Sequence, residues 1–370
     1  MNAASPVLHL GDGSPIQLGG LLGKPGGEGA VYTVVEHPDI AAKMYHNGRR
    51  TPTQESKIRA MVAKKPAERT IVDKRSGKTV PTLAWPEAII LDNKSFAGFT
   101  MRAIDLEQSV QIASIENPQR RAARPWTSNL ELDMRSVVAM NLAFLLQQVH
   151  ATGVVVGDLN DVDVRVSPSL IVSMIGCESM QIRDASGKHY LCSVFRPGFL
   201  APELIGKDLG ATVRAPESDL FNLAVHIYLL LLDRHPFRNG VYTGSGDKPS
   251  ADKLAQHGQW RGRSGGILVP TEPSAFDPRA VLSPTIVRLF ERAFEDGATA
   301  PRKRPTTAEW ISALKDSRET VTNQAVPDAH LASTVLATEQ LLAGDAEQSV
   351  ARDDRAGGPP GDDQSGWTQV

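Results

Sequence analysis

Gly26, Gly27 and Gly29 stand within four residues of one another, just ahead of the β-branched and aromatic run Val31-Tyr32-Thr33-Val34-Val35. A glycine-rich turn between two strands lets backbone N–H groups approach phosphate oxygens with no Cβ in the way. A plain glycine-rich hairpin accounts for the same residues. Lys43 supplies context, because a lysine on the next strand, about a dozen residues downstream, reaches the α and β phosphates of a nucleotide. Such a lysine calls for a carboxylate on the helix that follows. Glu55 is the residue of the right type, although it follows Lys43 closely. A solvated surface glutamate is the other reading.

Elements able to position these groups are legible around them. Val31–Val35 and Ile40–Tyr45 read as strands, with a turn at His37-Pro38-Asp39 between them. A helix near Thr53–Ala63 carries Ile58, Met61 and Val62 on one stripe. Trp85–Leu91 and Gly98–Met101 form a further strand pair around Asp92-Asn93-Lys94. After Ile104 the pattern turns helical. Met134–His150 is amphipathic, Leu220–Leu232 is apolar nearly all round, and two more helices, Pro284–Phe294 and Thr307–Leu314, flank Pro305. A strand-rich first part and a helix-rich second part give an α+β, bilobal organisation. Its segments are an N-terminal extension over 1–17, an N-lobe over 18–104, a C-lobe over 105–322, and a C-terminal helix with a disordered acidic tail over 323–370. In that last segment Ala329–Leu342 reads as the helix and Gly344–Val370 as disordered, with Trp367 as a docking anchor or a bland part of the terminus.

Composition narrows the class. The 370 residues hold 40 Lys plus Arg against 42 Asp plus Glu, so nothing argues for a nucleic-acid or membrane-surface partner. Met1-Asn2-Ala3-Ala4-Ser5-Pro6 lacks the basic start and apolar core of a signal peptide. The longest apolar run, Leu220–Leu232, is shorter than the ~20 residues a bilayer span needs. Two cysteines, Cys177 and Cys192, are too few for a disulfide framework and match no zinc spacing, which suits packed positions in a reducing cytoplasm.

Seven short motifs in order carry a family resemblance: Trp85-Pro86, Gly98-Phe99-Thr100-Met101-Arg102, Val156-Gly157-Asp158-Leu159-Asn160, Ala201-Pro202-Glu203-Leu204, Ser218-Asp219-Leu220-Phe221, His235-Pro236-Phe237 and Arg304-Pro305-Thr306. From about Leu18 to Leu314 the chain resembles a eukaryotic-type serine/threonine protein kinase domain. More narrowly, it resembles a bacterial subgroup whose catalytic loop reads Gly-Asp-Leu-Asn. The resemblance implies a bilobal kinase-like fold, with ATP and Mg2+ or Mn2+ as cofactors. It makes Asp158 the catalytic aspartate that orients a substrate hydroxyl and accepts its proton. Gly26, Gly27, Gly29, Val31, Lys43 and Met101 take the nucleotide. Asp163 stands where such a kinase has a metal-binding asparagine, and a carboxylate there is still a hard oxygen ligand. Asp219 becomes the brace of the catalytic loop, and Glu203 pairs with Arg304 as structure. A von Willebrand A-type protein or a metal-dependent phosphatase is the implied protein partner.

The pattern breaks at the metal motif. Gly176 stands where the principal magnesium ligand belongs, Glu178 fills the place of the subgroup's second acid, and Met180 replaces its phenylalanine. Phosphoryl transfer rests on positioning and charge neutralisation, so loss of a metal worth several kcal/mol slows it about a thousandfold or more. Gly157 also replaces the arginine that grips an activating phosphate in many kinases, which argues against control through Ser179, Tyr190 or Ser193. His189 and His235 read as loop or core residues. Two expectations result: a pseudokinase or strongly impaired kinase serving as a nucleotide-binding or scaffolding module, and an active serine/threonine kinase with a metal site rearranged onto Asp163 and Glu178.

Overall fold

The computed structural model describes residues 8–66, 70–238, 240–270 and 277–322; the helix at Ala329–Leu342, the acidic stretch Gly344–Val370 and Trp367 lie outside the described residues. Alternation of apolar and polar residues builds the first half into a seven-stranded antiparallel sheet. Its strands are β1 (Leu8–Leu10), β2 (Pro15–Ile16), β3 (Leu18–Leu21), β4 (Gly29–Val34), β5 (His37–Tyr45), β8 (Ala88–Asp92) and β9 (Ser95–Arg102), in spatial order β2-β1-β8-β9-β5-β4-β3. The small hairpin β6 (Thr70–Val72) and β7 (Thr79–Pro81) stands apart from it. Residues 8–16 therefore belong to the sheet, where the sequence suggested an extension ahead of it. Leu8 joins a cluster with Val34, Ala42 and Ile90, against which Leu10, Ile16 and Leu18 also pack, so these residues contribute to the core of this lobe.

The β4–β5 turn also falls earlier than expected. Val34 pairs with His37, leaving Val35 and Glu36 as a two-residue connection with Glu36 at φ 66°. Pro38 marks no break, because this exposed end of β5 has no need of its missing N–H. At the β8–β9 hairpin, Asn93 and Lys94 both take positive φ, the backbone of a type I′ turn that matches strand twist.

Helix α1 (Pro52–Ala63) is capped by Thr51, whose hydroxyl accepts from the Gln54 N–H, and it buries Lys57, Ile58 and Met61. Trp85 donates its indole N–H to Met61 O at 2.9 Å and ties the helix to the segment before β8. The second half is helical. Three single turns, α2 (Ala113–Glu116), α3 (Pro118–Arg121) and α4 (Pro125–Ser128), lead to α5 (Leu132–Ala151) and later to α6 (Pro216–Leu232). Between those two, β11 (Val164–Val166) pairs on one side with β12 (Val172–Met174) and on the other with β10 (Val110–Gln111), which precedes α2, and β13 (Ile182–Arg183) pairs with β14 (His189–Tyr190). Behind α6 lie α7 (Ala251–Gln256), β15 (Val241–Tyr242) paired with β16 (Leu268–Val269), and α8 to α11 (Pro278–Val281, Pro284–Glu291, Gly297–Thr299, Thr307–Thr322). Phe221, Tyr228, Phe237, Trp260, Phe290, Phe294 and Trp310 interlock edge-to-face and offset around α6 to form the core of this lobe. A curled antiparallel sheet followed by a helical lobe is the bilobal α+β fold of a protein kinase.

Candidate active site

Strand alternation aims Lys43. Ala42 faces the Leu8–Val34–Ile90 cluster, so Lys43 and Tyr45 point to the opposite face. The Lys43 ammonium lies 5.3 Å from the Tyr45 ring centroid. The neighbouring strands close tightly here. A Cβ on Gly29 would stand 2.1 Å from Met44 O, and one on Gly98 2.0 Å from Lys43 O. Gly29 is thus required by the approach of β4 to β5, whereas a Cβ on Gly27 would meet nothing within 4 Å. Val31 and Phe99 flank Lys43 across the ladder, and Met101 sits opposite Ala41.

Two carboxylates occupy Lys43. Glu178, buried in the 3-10 turn Cys177–Ser179 that follows Gly176, receives a short ion pair from Nζ. Glu28, the acid inside the glycine-rich turn, lies 3.4 Å away on the solvent side. Burial opposes the ammonium charge, but Glu178 and then Glu28 outweigh it and hold the Lys43 pKa above the usual lysine value. Glu55 is not the partner. It pairs with Arg59 one turn on at 2.8 Å, because the helical period turns 55 and 59 away from the buried stripe of 57, 58 and 61. Lys57 is the charged residue that α1 sends inward. Its Nζ donates to Ser179 O at 3.1 Å and Leu191 O at 3.5 Å, and burial lowers its pKa.

Asp158 and Asp163 line a small cavity together with Gly176, Ser179 and Met180. Asn160 organises them. Its amide donates to Asp163 Oδ2 at 2.9 Å and to Asp158 O at 3.1 Å, while its Oδ1 accepts from the Val162 and Asp163 N–H groups. Burial pushes both carboxyls above the usual aspartate range. Asn160, Arg214 and Arg196 offset part of this at Asp158. At Asp163, Asn160 offsets it while Asp158 and Glu178 add to it.

The loop carrying Asp158 is braced from below. Asp219, fully buried near the start of α6, accepts from the N–H groups of Val156 at 2.8 Å and Gly157 at 2.7 Å, and His150 Nε2 lies 2.8 Å from it. Arg214, also buried, donates to Gly157 O and to Val194 O. Further out, Arg304 holds Glu203 in a two-pronged pair at 2.8 and 2.6 Å and donates to Glu217 O and Gly297 O. Cys177 and Cys192 are free and buried. His235 is a buried residue, bonded to Gly198 O.

The structure thus brings Lys43, Asp158, Asp163 and Glu178 to one cleft and leaves Glu55 outside it. Glu28, Lys57 and Arg214 are cleft residues that sequence reasoning missed. Glu28 had a visible signal in its place between the glycines, and Lys57 one in its helical phase beside Ile58 and Met61; Arg214 had none. Among the described residues no three His, Cys, Asp or Glu side chains converge to hold a metal ion. Gly176 offers no side chain, Glu178 is tied to Lys43 and Asp163 is tied to Asn160, so a Mg2+ or Mn2+ ion does not fit the side chains as they stand.

Fold and cleft together define a protein-kinase-like chain. No family model matches it. Over 344 residues, 88% of its length, it is 30% identical to the protein named Protein kinase YegI of Escherichia coli O157:H7. Over 332 residues it is 31% identical to Protein kinase YegI of Escherichia coli strain K12. It covers 48% and 46% of those two proteins, so the chain spans about half the length of the curated relatives it matches. Among the described residues no helix is long and apolar enough to cross a membrane.

Proposed function

We propose that this chain is a kinase-fold signalling module whose phosphoryl transfer is lost or strongly impaired, acting through nucleotide binding or as a scaffold for a protein partner in the cytoplasm. The carrying observation is the double occupation of Lys43 by Glu178 and Glu28. A phosphate must displace both acids to reach the ammonium, and Asp158 and Asp163 close by add negative charge that opposes a triphosphate. The sequence resemblance points to a von Willebrand A-type protein or a metal-dependent phosphatase as the class of partner.

A second reading is an active serine/threonine kinase with its metal site rebuilt from Asp163 and Glu178. It is favoured by the placement of Asp163 in the same cavity as Asp158, and by the kinase name of both relatives.

Titration with ATP, with and without Mg2+ or Mn2+, read by thermal stability and by γ-phosphate transfer, separates the two. The impaired module gives no metal-dependent stabilisation, and no transfer that Asp158→Asn abolishes. Metal-dependent stabilisation together with such transfer would overturn it in favour of the active kinase. Gly176→Asp sharpens the result. Gly176 has a left-handed backbone that Asp tolerates, and a Cβ there stands 3.4 Å from the Asp163 carboxyl. The impaired reading expects metal-dependent nucleotide binding to appear in that variant.

A further inference from the structure

The turn that carries Glu178 is gripped by a second lysine besides Lys43. Lys57 is sent inward by α1 on the same stripe as Ile58 and Met61, and α1 is itself pinned where Trp85 donates to Met61 O. Lys57 Nζ donates to Ser179 O at 3.1 Å and to Leu191 O at 3.5 Å. The 3-10 turn Cys177–Ser179 is closed on itself, because the Ser179 N–H and hydroxyl both donate to Gly176 O and the Met180 N–H donates to Cys177 O. Its last carbonyl, on Ser179, is left for a donor from outside, and Lys57 supplies one. Ahead of the turn, Met174 is held on both its N–H and its carbonyl, by Thr82 O at 2.8 Å and the Ala84 N–H at 2.9 Å. The approach to the turn and its end are thus both fastened to the segment 57–84.

Lys57 is 8% exposed, and among the described residues it makes no ion pair; both of its acceptors are uncharged carbonyls. Glu178 and Glu28 favour its charge from beyond ion-pair range, and both are already on Lys43. A buried ammonium without its own acid is costly to a fold, and an apolar side chain of similar length would avoid that cost. What the charge secures is geometric. It fastens the end of the Glu178 turn, and the chain just after β14, to one face of α1.

We infer that Lys57 is a latch: by holding the Ser179 carbonyl it keeps the Glu178 carboxylate on Lys43, so that closure of the phosphate corner is a held and releasable state set from α1. The inference rests on the reading of Lys43 as closed by Glu178 and Glu28, and it adds the residue that enforces that closure. Lys57 is a positioning residue, acting through Ser179 on Glu178.

The test is binding of the fluorescent nucleotide mant-ATP to the full chain in EDTA, which leaves metal binding out of the comparison. Apparent affinity scales with the open fraction, so a chain open about a tenth of the time gains up to about tenfold on full release. Glu178→Ala removes the competing carboxylate and measures that full gain. Lys57→Met keeps the length of the side chain, removes its donors, and is expected to tighten binding at least about threefold. Lys57→Arg, which still donates to carbonyls, stays close to the wild type, as does Arg59→Met on the exposed side of α1. The sign separates a latch from a prop, because loss of a supporting contact loosens the cleft and weakens binding. Removing a buried charge spares the fold, which circular dichroism verifies, and Lys57→Gln, polar and shorter, is the substitute if Met does not fold. Tightening by Glu178→Ala with none by Lys57→Met or Lys57→Gln overturns the latch and leaves the reading of the cleft intact. No tightening by Glu178→Ala overturns both. Equal tightening by Lys57→Arg also overturns the latch, because the donors would then be irrelevant.

Discussion

Asp158 and Lys43 face one cleft from two lobes, and their surroundings are organised in opposite ways. Beneath Asp158, Asp219 holds two successive backbone N–H groups, and Arg214 holds the Gly157 carbonyl. Every one of these contacts positions the loop without using a group that a reaction needs. Around Lys43 the reverse holds. The lysine, Glu178 and Glu28 satisfy one another, so groups that could meet a nucleotide are spent on internal neutrality. Bracing of the Asp158 loop and charge pairing at Lys43 are thus separate in this fold, because different side chains carry them.

If that separation is real, the largest losses of stability belong to the brace. Asp219→Ala leaves two backbone N–H groups and His150 without their buried acceptor, and should cost about 3–5 kcal/mol in urea denaturation. Glu28→Gln, at a half-exposed acid on the other side of the cleft, should cost less than about 1 kcal/mol. Similar losses for the two variants would break the comparison.

Two glycines sharpen it further. Gly157 and Gly176 both have left-handed backbones, at φ 77° and 69°, and an alanine costs about 1–2 kcal/mol there. A Cβ at Gly157 would stand 2.8 Å from Cys192 Cβ and 3.1 Å from Arg214, whereas at Gly176 its nearest neighbour is the Asp163 carboxyl at 3.4 Å. Gly157→Ala should therefore add about 1–3 kcal/mol of overpacking to the backbone cost. Gly176→Ala should show the backbone cost alone. Denaturation midpoints that fall by the same amount would mean the brace is no tighter than the metal-motif corner.

Much of this contrast was visible in the sequence, and the limits of that view are physical. Strand alternation and helical stripes place β4, β5, β8, β9, α1, α5 and α6 close to where they occur, because each buries one face. The order of short motifs was enough to put Lys43, Asp158, Asp163 and Glu178 in one cleft. Pairing across the cleft was not legible. Glu178 is 135 residues from Lys43, and no local pattern sets it against Glu55. Helical phase could have warned against Glu55, since Ile58 and Met61 define the buried stripe of α1 and put Lys57, not Glu55, beside it. Strands β1 and β2 went unread because three-residue and two-residue strands carry too little alternation to register.

The smallest expected effect lies between the two regions, at Asp163, and has a definite sign with pH. Burial, with Asp158 and Glu178 adding to it, raises the folded-state pKa of Asp163 above the ordinary aspartate value that it has in the unfolded chain. The folded chain then binds more protons than the unfolded chain between those two values, so this carboxyl costs stability progressively as pH rises through that window. Above the window the cost is fully present; below the unfolded value it vanishes. Asp163→Asn removes the ionisation and keeps an oxygen to accept from Asn160. It should stabilise the chain by about 1 kcal/mol at neutral pH, with the gain fading on acidification toward the unfolded aspartate pKa. Urea denaturation of both proteins across the acid limb measures it. A gain of that sign would mark Asp163 as an acid retained against stability, as a residue with a chemical role is. A neutral-pH loss would show instead that Asp163 is held as tightly as Asp219 and belongs with the brace.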